Sequence, residues 1–227
     1  MKERGIIFNT EMVRAILDGR KTQTRRVMKV QPVLNGDRWK IYGCSTDKSN
    51  KSIFVAPQGS LENNCPYGKV GDRLWVRETF ALLGNEDGVC VDWNDNILKA
   101  GEEQAARIYK ASCEQKDGDY GLWSIPDDAD WKPHTDNHKY EGTWRPSIHM
   151  PRWASRITLE ITNVRVERLQ AANDYDFKAE GYPLVRELTG GSTDAFCWFR
   201  HLWDSVSKPD CNFESNPWVW VIEFKRV

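Results

Sequence analysis

The sequence lacks the features typical of membrane, secreted and zinc-binding proteins. Its longest mainly apolar run, 218–224, is far shorter than the roughly 20 residues of a membrane-spanning helix. The start, Met1-Lys2-Glu3-Arg4, leads into a short apolar stretch that does not resemble a signal peptide. The 6 cysteines are widely spaced and include no Cys-x-x-Cys pair. We therefore expect a reduced, cytoplasmic protein with no disulfide framework, metal or cofactor and no membrane contact.

The chain also lacks an excess of charge of either sign. Its 227 residues include 32 Lys plus Arg and 33 Asp plus Glu, which gives a net charge of -1. A uniformly basic, nucleic-acid-coating protein is therefore excluded. Hydrophobic residues make up 40% of the chain, which is enough to form a core. Tryptophan is abundant at 11 residues, so we expect some of these rings to line a surface or a pocket.

Hydrophobic periodicity predicts an α+β protein made of short elements. The predicted strands lie at 5–8, 21–29, 73–80, 107–111, 157–161 and 218–225. Helices are predicted after caps at Asn9 or Thr10, at Asn173 and at Thr193. The segments at about 30–70 and 84–150 are rich in loop-forming residues and are predicted to be long insertions. We expect a single domain over 1–227, built as a small β-barrel with short flanking helices.

A basic segment between Arg14 and Lys29 stands out from the otherwise neutral chain. It contains six basic residues and one acid. Gly19 favours a sharp turn just before Lys21, and Thr24 and Arg26 share one side of the strand that follows. A lysine, a hydroxyl and an arginine would then converge on one pocket. The alternative is an ordinary solvated face near a helix C-terminus.

This segment and three others together resemble the ASCH domain family, which is similar to PUA domains. Gly19-x-Lys21-x-x-Thr24-x-Arg26 resembles the family signature GxKxxTxR. In the same order, 71–76 resembles its turn-and-strand element, Ala179-Glu180-Gly181 its AEG element, and 220–224 its final strand. These four matches lie in order between residues 19 and 224 of the chain. The longer form, with 144–156, is similar to ASCH proteins of tailed phages and prophages, which implies a bacterial host cell.

The resemblance implies a PUA-like barrel whose cleft accepts RNA or a modified nucleobase. Some compact bacterial members hydrolyse the amide of N4-acetylcytidine with a lysine, a threonine and a glutamate. The matching positions are Lys21, Thr24 and Glu180, which are the predicted catalytic residues. Glu180 precedes the glycine that ends its helix, where it faces the negative pole of the helix dipole; this mildly unfavourable placement suits proton transfer. The alternative for Glu180 is an ordinary exposed glutamate.

A second group of residues is predicted to bind nucleic acid or substrate. Five Arg and two Glu lie in 145–168, beside Trp144 and Trp153, and arginine with exposed aromatic rings suits a splayed base or single-stranded RNA. For Trp153, core packing is the favoured alternative. Strand Trp75–Thr79 should border the same cleft, although Arg77 and Glu78 could simply form a cross-strand ion pair. The predicted binding residues are Gly19, Arg26, Trp75, Arg77, Glu78, His149, Arg152, Trp153 and Arg156.

The sequence leaves three functions open. The preferred one is amide hydrolysis of an N4-acylated cytidine-type base. The second is a module that binds RNA or modified nucleic acid without turnover. The third is a ribonuclease that uses His149 or Lys21 as its base. Because family members differ in activity, the fold alone does not decide among them.

Overall fold

The computed structural model describes residues 1–35, 38–42, 53–57, 61–83, 89–92, 94, 96–98, 102–112 and 144–227. The strands in this part of the chain are β1 Glu3–Ile7, β2 Gln23–Val27, β3 Val33–Asn35, β4 Arg38–Tyr42, β5 Ile53–Pro57, β6 Arg73–Arg77, β7 Phe80–Leu82, β8 Arg107–Tyr109, β9 Thr158–Arg168 and β10 Trp218–Arg226. The α-helices are α1 Thr10–Leu17, α2 Asp174–Ala179, α3 Leu184–Thr189 and α4 Asp194–Val206.

A five-stranded sheet forms the main framework, with strand order β1-β6-β9-β10-β2. Strand β10 pairs antiparallel with β2, placing Trp220 opposite Arg26 and Ile222 opposite Thr24. It also pairs antiparallel with β9 on its other side. These strands and the short helices confirm the predicted α+β class. In the described residues, no pairing of β1 with β2 closes this sheet into a barrel.

The segment predicted to be a loop-rich insertion at 30–70 contains a second sheet. Strands β3, β4 and β5 form it in sequence order, and both strand pairs are antiparallel. The sequences of β4 and β5 do contain the aromatic and β-branched residues that strands favour. Each strand is so short that the neighbouring glycines and prolines dominate the pattern, which is why the loop prediction is wrong there.

Other differences from the predicted elements are smaller. The strand predicted over 73–80 is divided into β6 and β7, and β7 pairs with β8. The strand predicted at 157–161 extends through 11 residues as β9. Helix α3 was not predicted, because its six residues are too few to show a helical period. Residues 117–141, which contain seven acids and only two basic residues, lie outside the described residues.

The predicted ends of α1 and α2 are confirmed. The Asn9 side chain accepts a hydrogen bond from the Met12 N–H at 2.8 Å at the start of α1. Gly19, with a φ of 75°, follows α1, and Gly181, with a φ of 105°, follows α2. Asn173 and Asp176 form a reciprocal capping box at the start of α2.

Thr193 precedes α4 as predicted, but within the described residues its side chain donates and accepts no capping hydrogen bond. No described helix is long and apolar enough to cross a lipid bilayer. The cytoplasmic location stays a prediction.

The chain separates into two compact units. The first contains Met1–Arg4, Ala15–Leu74 and Leu159–Val227. Its core includes a cluster of aromatic and aliphatic side chains from α2, α4, β10 and the segments beside them, namely Leu169, Phe177, Tyr182, Ala195, Phe199, Trp203, Phe213, Val219 and Val221. The second unit contains Gly5–Arg14 and Trp75–Thr158. A smaller cluster in it is formed by Phe80, Tyr109, Met150 and Ala154. The single domain over 1–227 stays a prediction.

Two glycines of the first unit allow a matched test of backbone strain and packing. Both have positive φ, but a Cβ at Gly181 would lie 2.8 Å from Ala15 Cβ, whereas no atom lies within 4 Å of a Cβ built at Gly19. We expect Gly19→Ala to lower the free energy of unfolding by about 1 kcal/mol through strain alone. Gly181→Ala should lower it by about 2–4 kcal/mol, because overpacking adds to strain. Urea denaturation measures both, and equal losses would contradict the packing of Gly181 against α1.

Candidate active site

A turn after α1 brings Lys21 to the end of α2. Gly19 supplies the left-handed conformation, and the Lys21 N–H then donates to the Ala15 carbonyl at 2.9 Å. Lys21 forms an isolated antiparallel bridge with Glu180, and the Thr22 N–H donates to the Ala179 carbonyl at 2.9 Å. Glu180 is the C-terminal capping residue of α2. Backbone hydrogen bonds from both sides therefore hold the two side chains against each other.

Lys21 and Glu180 form a buried ion pair. Lys21 Nζ donates to Glu180 Oε2 at 2.7 Å and to the Glu180 main-chain oxygen at 2.9 Å. The Lys21 side chain is 0% exposed and the Glu180 side chain 5% exposed. Of the three predicted catalytic residues, the structure thus places the amine and the carboxylate in direct contact.

Burial changes the proton affinity of Lys21. Desolvation lowers the pKa of its ammonium group from the ordinary value of 10.5, because a charged amine loses its hydration inside the protein. The negative charge of Glu180 and its hydrogen bond act in the opposite direction, and the cations of Arg26 and Arg25 lower the pKa further. The result is a pKa below the ordinary value, which raises the neutral fraction of the amine at any given pH below it.

Thr24 and Arg26 lie on β2, close in sequence to Lys21. Thr24 is 2% exposed, and Arg26 is half-buried. Because side chains alternate along a strand, Thr24 and Arg26 share one face of β2, and Gln23 and Arg25 share the other. The carboxylate hydrogen bonds of Glu180 go to Lys21 and Arg25 and not to the Thr24 hydroxyl. Thr24 is therefore buried on the face of β2 opposite Arg25, and its hydroxyl makes no direct bond to Glu180.

Arg25 and Asp176 extend the ion pair into a buried network that was not predicted from the sequence. Arg25 Nη1 donates to Glu180 Oε1 at 3.4 Å, and Arg25 Nη2 lies 3.0 Å from Asp176 Oδ1. Asp176 Oδ1 also accepts hydrogen bonds from Gln23 Nε2 and Arg165 Nη2, both at 3.1 Å. The sequence does carry a signal for this network, because buried charges need partners and β2 contains two consecutive arginines.

Asp176 illustrates how the network opposes the cost of burial. Burial acts to raise the pKa of its carboxyl group. The hydrogen bond from the Asn173 N–H, the positive charge of Arg25 and the side-chain bonds outweigh burial and hold this pKa below its ordinary value. Asp176 therefore stays ionised, and it both caps α2 and anchors Arg25.

The other predicted binding residues lie mostly in the second unit. Glu78 is 1% exposed, and both of its carboxylate oxygens accept hydrogen bonds from Arg156 at 3.0 Å. The Arg156 guanidinium lies 4.1 Å from the centre of the Tyr109 ring. Burial raises the pKa of Glu78, although Arg156 opposes the shift. The partner of Glu78 is thus Arg156, not the Arg77 considered in the cross-strand alternative.

The remaining residues of this group are more exposed. His149 and Arg152 are exposed and lie on the short 3-10 helices Ser147–His149 and Arg152–Ala154. The Arg77 guanidinium stacks over the half-buried Trp75 ring, 5.5 Å from its centre. The half-buried Trp153 ring packs against the small core of the second unit, as its packing alternative expects.

Comparison with known proteins gives no further assignment. No family model, curated protein or solved structure matches this chain. The resemblance to ASCH domains and the functional roles that it implies therefore stay predictions. Within the described ranges, no group of three or more His, Cys, Asp or Glu side chains is arranged to hold a metal ion.

The burial of the ion pair predicts a large cost when its lysine is removed. Lys21→Met leaves a buried carboxylate without its shortest hydrogen bond, so we expect the free energy of unfolding to fall by about 3–5 kcal/mol. The double variant Lys21→Met/Glu180→Leu should recover part of this loss. The exposed Lys178–Glu187 pair of the same unit provides a control, and Lys178→Met should have a much smaller effect. Equal effects of the two lysine variants in chemical denaturation would contradict the buried pair.

Proposed function

We propose that this chain is an ASCH-type protein with a PUA-like architecture that hydrolyses the amide of an N4-acylated cytidine-type base. The observation that carries this proposal is the buried 2.7 Å hydrogen bond between Lys21 Nζ and Glu180 Oε2. The two residues are 159 positions apart in the chain, yet their side chains are hydrogen-bonded to each other. The substrate would be a modified nucleoside or an RNA that carries one, in the cytoplasm of a bacterial host cell.

The environment of Lys21 supports its role as a general base. An ammonium group cannot accept a proton, so a lysine base must spend part of its time neutral. Burial lowers the pKa of Lys21 and thereby increases its neutral fraction. Thr24, three residues further along the chain, supplies the hydroxyl that such a base would activate.

The reaction proceeds in two stages. Thr24 Oγ1 attacks the acyl carbon of the substrate, and its proton passes to neutral Lys21 Nζ. The bond between the acyl carbon and N4 then breaks, while Glu180 relays the proton from Lys21 to the departing amine. Water hydrolyses the resulting ester on Thr24, which releases the carboxylic acid and restores the hydroxyl. Arg26 is the candidate to stabilise the oxyanion, because the Lys21 and Thr22 N–H groups after Gly19 already donate to the Ala15 and Ala179 carbonyls.

A binding module without turnover is the second candidate. The exposed His149 and Arg152 and the arginine-stacked ring of Trp75 favour it, because such groups suit phosphate contacts and base stacking. However, two of the arginines around them are paired with acids: Arg145 with Glu102, and Arg156 with Glu78. The positive charge available in this region to bind a nucleic acid is therefore smaller than the sequence suggests. For this reason we rank hydrolysis first.

Turnover of N4-acetylcytidine tests the proposal. Thr24→Val removes the hydroxyl with little change in volume and should lower kcat by about 1000-fold or more. Thr22→Val is the matched control, because Thr22 is an exposed threonine of the same segment; this variant should keep near-normal turnover.

The wild-type rate should rise with pH through the pKa of Lys21, which lies below 10.5, because the base acts in its neutral form. Chromatography of released cytidine measures all of these.

Other results would favour the alternatives. Undiminished turnover by Thr24→Val would remove Thr24 as the nucleophile. A wild-type protein that cleaves no acylated nucleoside but binds RNA with a steep salt dependence, lost on Arg152→Ala, would be a binding module. Cleavage of labelled RNA that survives Thr24→Val and disappears in His149→Ala would indicate a ribonuclease.

A further inference from the structure

Arg25 occupies a position that the proposed reaction does not yet use. Its side chain is 0% exposed, and its guanidinium group contacts carboxylates from β9, from α2 and from the residue that caps α2. Nη1 donates to Glu180 Oε1 at 3.4 Å, and Nη2 lies 3.0 Å from Asp176 Oδ1 and 3.5 Å from Glu167 Oε2. A buried arginine with several carboxylate partners has one orientation rather than many.

The two oxygens of the Glu180 carboxylate are shared between two cations. Oε2 accepts the hydrogen bond from Lys21 Nζ at 2.7 Å, and Oε1 accepts the longer one from Arg25 Nη1. Rotation of the carboxylate would therefore break both contacts at once. The Phe199 ring, whose centre lies 5.8 Å from the Arg25 guanidinium carbon, packs beside the arginine.

We propose that Arg25 is a positioning residue that fixes the Glu180 carboxylate so that Oε2 faces the Lys21 amine. This inference rests on the proposed function, since it assigns Glu180 the role of relaying a proton from Lys21. Asp176 in turn anchors Arg25 from the opposite side of the guanidinium group, at the first turn of α2. The series Asp176–Arg25–Glu180–Lys21 thereby connects the start of α2 to its end through side chains.

Charge as well as geometry connects Arg25 to Lys21. The charged groups that act on Lys21 are Glu180, Arg26 and Arg25, and both arginines disfavour its protonated form. If Arg25 is replaced by an uncharged residue, one cation near Lys21 is lost. The negative charge of Glu180 is then no longer shared with Arg25 and acts on Lys21 alone. Both changes favour the ammonium form, so Lys21 should hold its proton to higher pH.

The test uses two variants of Arg25 and a control. Arg25→Lys keeps a buried positive charge but loses the planar fork, and Arg25→Gln loses the charge as well. Arg165→Gln is the control, because Arg165 bonds Asp176 in the same network and its partners among the described residues do not include Glu180. Chemical denaturation identifies which variants are folded before any comparison is made.

The first readout does not depend on activity. NMR of protein labelled at its lysine side chains, with the Lys21 signal assigned from Lys21→Met, follows the titration of Lys21 directly. We expect the pKa of Lys21 to rise in Arg25→Gln and, less so, in Arg25→Lys, and to remain unchanged in Arg165→Gln. An unchanged Lys21 titration in folded Arg25 variants would overturn the positioning role, even if the protein hydrolyses N4-acetylcytidine.

The second readout is kinetic. Arg25→Lys should lower kcat for N4-acetylcytidine by about 100-fold with little change in KM, because misplacement of a catalytic group slows the chemical step. A purely structural role would lower stability and leave kcat per folded molecule unchanged. If the wild type does not hydrolyse the substrate, the proposed function fails, and the Lys21 titration alone decides the role of Arg25.

A wild-type measurement covers the case in which neither Arg25 variant folds. A guanidinium group held by three carboxylates rotates slowly, so the Arg25 Nη protons should give separate NMR signals that are protected from solvent exchange. Averaged and rapidly exchanging Arg25 signals would show that the fork is not fixed, and would overturn the proposal.

Discussion

The buried ion pair between Lys21 and Glu180 constrains how the first unit is arranged. Removing two charges from water is costly, and their mutual attraction offsets that cost only when further hydrogen bonds complete the site. The Glu180 carbonyl provides a second acceptor for the amine, and Arg25 a second donor for the carboxylate. The chain must therefore hold the turn at Gly19, β2 and α2 in a single arrangement around these groups.

Local sequence explains why that arrangement forms. Glycines follow both helices at positive φ, so the chain reverses at Gly19 and Gly181 just where the two polar residues emerge. The capping box of Asn173 and Asp176 sets the start of α2, and the helix is short enough that its start determines where Glu180 lies. The same Asp176 carboxylate then enters the charged network, so that one residue serves both helix formation and the environment of the site.

Features set by neighbours in sequence could be predicted, whereas those set by tertiary contacts could not. The caps at Asn9 and Asn173, the turn at Gly19 and the course of β10 follow from residues within a few positions, and the structure confirms them. The partners of Arg25 and Glu78 come from distant elements, and no local pattern identifies which arginine meets which acid. The short strands β4 and β5 were missed because five residues do not establish a strand period among glycines and prolines.

The proposed reaction needs a buried amine, a carboxylate and a hydroxyl in one hydrolytic site, and the position of a bound product tests that arrangement most directly. A crystal structure of the protein with cytidine answers the question. We expect the N4 amine of cytidine beside the Thr24 hydroxyl, with Lys21 Nζ still hydrogen-bonded to Glu180 Oε2. Cytidine bound in the second unit near His149, with Lys21 and Glu180 sealed away from it, would contradict the account.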